Sequence, residues 1–106
     1  MIYVSFTVKN GTVLGFNASG HSGYAEQGND IVCAAVSSAV LMAANTVTEI
    51  QHINADIAVN DDGFLSLNLS EKDAASAKAV LSGLMLHLNA LADEYSEFIK
   101  VKISEV

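Results

Sequence analysis

The chain opens on MIYVSFTVKNGTVLGFNA, and that stretch restricts the fold more than any other. Ile2, Val4, Phe6 and Val8 alternate with Tyr3, Ser5, Thr7 and Lys9, and Asn10-Gly11 follows at once. Alternation at period two makes a strand with one apolar face. Asn-Gly suits a two-residue type I′ turn, because both residues tolerate the positive φ angles that match the twist of the joined strands. A β-hairpin therefore begins the protein, and its apolar face must be covered. With that turn, Val8 pairs with Val13 and Phe6 with Gly15, which directs Leu14 and Phe16 to the face of Thr7 and Ser5. Both faces of the second strand then need cover, from a loop or a second subunit.

After a glycine-containing connection, Asn29-Asp30 precedes IVCAAVSSAVLMAANTVTEI, in which Val32, Val36, Val40, Ala43, Val47 and Ile50 recur at spacings of three and four. That spacing predicts a helix, and Asp30 suits its N-cap because a carboxylate can accept from the unpaired amides of the first turn. Alanine and valine around most of the circumference imply a central helix buried on more than one side. A second hairpin follows, with Ile53, Ala55, Ile57 and Val59 alternating before the turn Asp61-Asp62-Gly63, and Leu65, Leu67 and Leu69 after it. Ser70-Glu71-Lys72-Asp73 resembles a capping box and opens a helix with the stripe Ala74, Ala77, Leu81, Leu84, Leu88, Leu91 and Tyr95. The chain closes on a half-buried strand of Ile99, Val101 and Ile103, whose outward Lys100 and Lys102 discourage edge pairing. The expectation is an α+β fold, a single domain over residues 1–106 in the order ββαββαβ, with a mixed or antiparallel sheet packed with two helices.

Composition narrows the function classes. Of 106 residues, 51% are hydrophobic, enough for a real core, and one cysteine excludes an intrachain disulfide or a cysteine-rich zinc site. A reducing cytoplasm fits. No export signal is read at the N-terminus, and no stretch reaches membrane-span length without polar interruption, so no membrane association is expected. Twelve acids against five bases give a formal charge of −7, which opposes a phosphate backbone and favours a cationic partner. No nucleic-acid partner is expected. The histidines His52 and His87 lack metal-site spacing, and the helix-start loop lacks a phosphate-binding Gly-Lys-Ser/Thr ending, so no metal and no cofactor is expected. Asp93, Glu94 and Glu97 read as a solvated helix end.

The candidate chemistry lies in GHSGYAEQGNDIVCAA, Gly20–Ala35. Cys33 falls in the first turn of the predicted helix, where free amides and the helix dipole favour negative charge. An ordinary thiol with a pKa of about 8.5 is scarcely ionised at neutral pH, and such a position favours the thiolate. His21 stands at the end of the second strand, on the other side of the connection, where it can move the thiol proton or protonate a leaving amine. Gly20, Gly23 and Gly28 read as hinges of the connection, and amides of the helix start as donors to an oxyanion. The competing reading is a small core thiol beside a solvated histidine. Another is a redox sensor on Cys33, which lacks a resolving cysteine.

At Gly20-His21 followed by GNDIVCAAVSSAV, Gly28–Val40, the sequence resembles the ribosomal-processing cysteine protease family. Length and element order agree along the chain. The resemblance implies a cytoplasmic peptidase that removes the N-terminal extension of a ribosomal large-subunit protein, the twenty-seventh. It implies a homodimer that cuts after an aromatic residue in a basic-leaning peptide, with His21 and Cys33 as base and nucleophile. The alternative is a non-catalytic dimeric ribosome-assembly factor that binds the same precursor and shields it. Asp30 matches the motif too, as cap and as a candidate orienter of His21, and Ser37, one turn beyond Cys33, is a candidate neighbour of the thiol. Ser22 stands where alanine is common in the family, and Ala25 where an acid or amide is frequent, which bears on the shape of the loop.

Overall fold

The structure, a computed structural model, describes residues 1–26 and 30–106. The opening pattern forms β1 (Ile2–Lys9) and β2 (Thr12–Gly20), joined by Asn10 and Gly11 at φ 49° and 78°, the positive values a type I′ turn requires. The register departs from the simple hairpin. Val8 lies opposite Val13 as expected, but Thr7 lies opposite Gly15 and Phe6 opposite Phe16. Leu14 is the extra residue of a β-bulge, and the bulge returns Phe16 to the inner face, its ring centroid 6.0 Å from that of Phe6. Phe16 is therefore buried within the chain, contrary to the expected outward placement.

The bulge coincides with the approach of a neighbouring strand. β3 (Asp56–Val59) and β4 (Leu65–Asn68) form the second hairpin, and β4 pairs with β2. β4 passes so close to Gly15 that a Cβ there would sit 2.5 Å from the Leu67 carbonyl oxygen, while the Leu14 carbonyl accepts the Leu69 amide at 2.9 Å. With β5 (Ile99–Glu105) the sheet runs β3-β4-β2-β1-β5, and β5 is parallel to β1 while the other pairs are antiparallel. This is the mixed sheet of an α+β domain.

Helix α1 (Ile31–Asn45) continues into a π-helical turn, Thr46–Ile50. The long leucine-striped helix is divided at Ala77 into α2 (Glu71–Ser76) and α3 (Lys78–Glu94). The stripe survives the break, since Ala74, Ala77, Leu81, Leu84 and Leu88 are all buried. Ser70 caps α2 by accepting the Asp73 amide at 3.3 Å. The inner residues of β1 and β2 share one core with α1 and α3, while Tyr3 and Asn17 on the outer face are exposed. Fully burying a side chain such as Leu81 or Leu88 contributes about 1.5–3 kcal/mol.

Two expectations for α1 are corrected. Val32, Val36, Val40, Ala43 and Ala44 are buried, but Leu41 and Met42 on the other side are 47% and 56% exposed. The helix packs beside α3, and only its valine face joins the core shared with the inner residues of the sheet. Moreover, Ile31–Ile50 is long and apolar enough, by length and composition, to cross a membrane. Here its valine face packs in the core of a sheet domain.

Candidate active site

One end of the sheet gathers the residues singled out in the sequence. β2 ends at Gly20, which adopts φ +96° and lies so close to β1 that a Cβ would sit 2.4 Å from the Met1 carbonyl oxygen. Only glycine fits both the angle and the gap. His21 follows directly and is exposed, and its carbonyl accepts the backbone nitrogen of Met1. Gly23 also has positive φ, 72°, but in open space. Gly28, the third expected hinge, lies outside the described residues.

Cys33 sits in the first turn of α1 and is half-buried. Asp30 is the N-cap, its Oδ1 accepting the Val32 and Cys33 amides, each at 3.0 Å. The Ala34 amide goes to the Asp30 carbonyl at 3.1 Å. The helix-start amides read from the sequence as oxyanion donors are therefore already committed to the cap. A different donor points at the sulfur: the Ser22 amide lies 3.5 Å from Cys33 Sγ.

Ser22 is the residue the sequence reading undervalued. It is buried, its hydroxyl donates to Asp30 Oδ2, and the Ser22 hydroxyl oxygen accepts the Tyr24 amide at 3.0 Å. One side chain thus ties the residue after His21 to the cap of the helix that carries Cys33. The hydroxyl directly after the histidine was visible, but its partner was not, because the two meet across a connection whose path the sequence does not specify. Burial alone would raise the Asp30 carboxyl. The Ser22 hydroxyl, the Cys33 amide and thiol, and the Val32 amide outweigh it and hold Asp30 below the ordinary aspartate range.

His21, Gly23, Asp30, Cys33 and Ser37 all line one open cavity of about 500 Å³. Ala25, Ala34 and Phe64 give it apolar wall, and Asp62 and Gly63 of the β3–β4 turn complete the lining. Among the described residues no hydrogen bond joins the His21 imidazole to Cys33 or to Asp30; the Asp30 oxygens are taken by Ser22, Val32 and Cys33. His52 and His87 are exposed on other elements. Two further residues of this end were not singled out. Tyr24 packs edge-on against Phe98 and Tyr95, at centroid distances of 5.2 and 6.1 Å, which anchors the start of the connection on the α3–β5 turn. Asp62 was read only as part of a turn, yet its carboxylate accepts the Gly20 amide at 2.6 Å. That bond, followed against burial by the Phe64 amide and the positive charge of His21, lowers Asp62 below the ordinary range.

The arrangement places a thiol, an imidazole and a directed amide donor around a cavity large enough for a peptide segment, which is the equipment of thiol-based acyl transfer. The chain is similar to known proteases. A ribosomal processing cysteine protease Prp from Bacillus subtilis (strain 168) is 26% identical over 94 residues, covering 84% of each chain. The S. aureus ribosomal processing protease Prp, solved with a covalently linked product peptide, superposes with a TM-score of 0.86 at 28% identity, over 98% of this chain and 100% of that one. The same protease with a substrate peptide gives a TM-score of 0.79 at 26% identity and the same coverage. The sequence model of the cysteine protease Prp family matches residues 1–100, and the chain belongs to that family of cysteine proteases.

Proposed function

We propose that this protein is an endopeptidase that removes the N-terminal extension of a ribosomal large-subunit protein precursor, the twenty-seventh, with Cys33 as nucleophile and His21 as general acid and base. The observation that carries the reading is the single cavity onto which both side chains open, with the Ser22 amide directed at the sulfur. The ribosomal processing role of the Bacillus subtilis and S. aureus relatives supports the substrate class. A chain of formal charge −7 also suits a basic-leaning peptide. The apolar wall of Ala25, Ala34 and Phe64 suits an aromatic residue at the cut.

In the acylation step the Cys33 thiolate attacks the scissile carbonyl carbon, and the electron pair moves to the carbonyl oxygen. The Ser22 amide is a donor already beside that position, and donors preorganised at a developing oxyanion are among the largest sources of rate enhancement. As the C–N bond breaks, the His21 imidazolium gives its proton to the leaving amine. The neutral imidazole then takes a proton from water, which attacks the thioester and frees the carboxylic product and the thiolate. The homodimer and the cytoplasmic location belong to the same proposal, drawn from the family resemblance. Membership in a protease family favours turnover over the shielding role of an assembly factor.

The test is cleavage of a precursor-like peptide, followed by mass spectrometry. One cut near an aromatic residue is expected, and Cys33→Ala and His21→Ala each reduce the rate by at least about a thousandfold, as loss of a nucleophile or its base does in comparable hydrolases. Persistent cleavage by either variant overturns the dyad.

A further inference from the structure

The β3–β4 turn does more than reverse the chain. The backbone ladder between β2 and β4 ends at Asn17 opposite Ser66, three residues short of the end of β2. Two side chains of the turn continue it. Asn60 Nδ2 donates to the Ala18 carbonyl at 2.7 Å, and Asp62 Oδ2 accepts the Gly20 amide at 2.6 Å. The turn is itself fixed, since the Asn60 amide donates to the Phe64 carbonyl at 2.6 Å and Asp62 Oδ1 accepts the Phe64 amide at 3.0 Å. The residue these contacts steady is the one immediately before His21. The Asp62 carboxylate lines the same cavity as His21 and Cys33.

We infer that Asp62 is a positioning residue for His21, holding the strand end that carries the imidazole through the Gly20 amide. This deepens the proposed protease function and rests on it. A carboxylate suits this part, because the Gly20 amide at the strand end needs an acceptor once the backbone ladder has stopped, and a charged acceptor makes the stronger bond. Asp30, the other carboxylate lining the cavity, is engaged by the helix cap and Ser22. Asp62 is thus the cavity carboxylate contributed from the sheet side.

The experiment compares Asp62→Asn and Asp62→Ala with the unsubstituted protein in peptide cleavage from acidic to alkaline pH, with thermal melts to confirm folding. Asp62→Asn keeps an acceptor but removes the charge. With the Gly20 amide still accepted, its kcat and KM are expected to stay within about twofold of the unsubstituted values. Asp62→Ala also frees the Gly20 amide, and its kcat is expected to fall about tenfold with KM within about twofold. An unchanged kcat in folded Asp62→Ala, a loss of about tenfold in Asp62→Asn as well, or a kcat loss that only follows the loss of folded protein, overturns the proposal. If the unsubstituted protein does not cut the peptide, the protease reading fails on its own. Amide hydrogen exchange at residues 18–21 then decides the Asp62 proposal: faster exchange in Asp62→Ala than in Asp62→Asn supports it, and equal rates in the two variants overturn it.

Discussion

Gly20 shows how much of the site depends on single backbone positions. It combines φ +96° with a gap that leaves a Cβ 2.4 Å from the Met1 carbonyl oxygen, whereas Gly23 has φ +72° in open space. A methyl group at Gly20 must force β1 and β2 apart as well as strain the backbone. Gly20→Ala is therefore expected to lower unfolding stability by roughly 2–4 kcal/mol and Gly23→Ala by only about 1 kcal/mol, differences that urea unfolding resolves. At this scale the sequence was informative where chemistry is local. His21 at a strand end, Cys33 in a first turn and Asp30 as a cap follow from patterns a few residues long, and the geometry agrees with those placements. Ser22 and Asp62 were not legible, because each acquires its role from a partner on another element, 8 and 42 residues away in the chain.

At the scale of elements, the start of α1 organises the site. Asp30 accepts two backbone amides with one oxygen and the Ser22 hydroxyl with the other, so it caps the helix and fastens β2 to it. Asp30→Ala is expected to lower stability by about 1–2 kcal/mol, the ordinary value of a lost cap. It is also expected to reduce peptide cleavage, since the Ser22 amide and Cys33 lose their common anchor. Asp30→Ser, which keeps a capping oxygen, should recover most of the stability but less of the cleavage; equal recovery of both would reduce Asp30 to a helix cap alone. The strands teach a related lesson about reading patterns. The Asn-Gly turn correctly set the first pair of β1–β2, yet the register changed beyond it, because β4 approaches Gly15 and Leu14 bulges to admit it. A hairpin rule knows only two strands, and the third strand decided which way Phe16 faces.

Across the whole molecule, two kinds of electrostatics act in opposite directions as pH falls. A formal charge of −7 at neutral pH means that carboxylates repel one another on average, so mild acidification relieves the folded state. Asp30 and Asp62 behave differently. Both are held below the ordinary aspartate range by hydrogen bonds that join the helix start, the strand end and the β3–β4 turn. A carboxyl depressed in the folded state contributes stability that is present above its unfolded value and lost as pH falls through its folded value. Stability should therefore rise gently from neutral towards about pH 5 and then fall steeply below about pH 4. Salt separates the two effects, because repulsion between exposed charges is screened beyond roughly 10 Å at 0.1 M whereas a direct hydrogen bond is not. Urea midpoints measured against pH at low and high salt should thus lose the gentle rise in high salt and keep the acid fall. In Asp62→Asn the midpoint should be lower at neutral pH, and its fall below about pH 4 shallower, because one depressed carboxyl no longer titrates. An acid fall of unchanged steepness in that variant would mean that the joint between the β3–β4 turn and the end of β2 contributes nothing to the pH dependence of the fold.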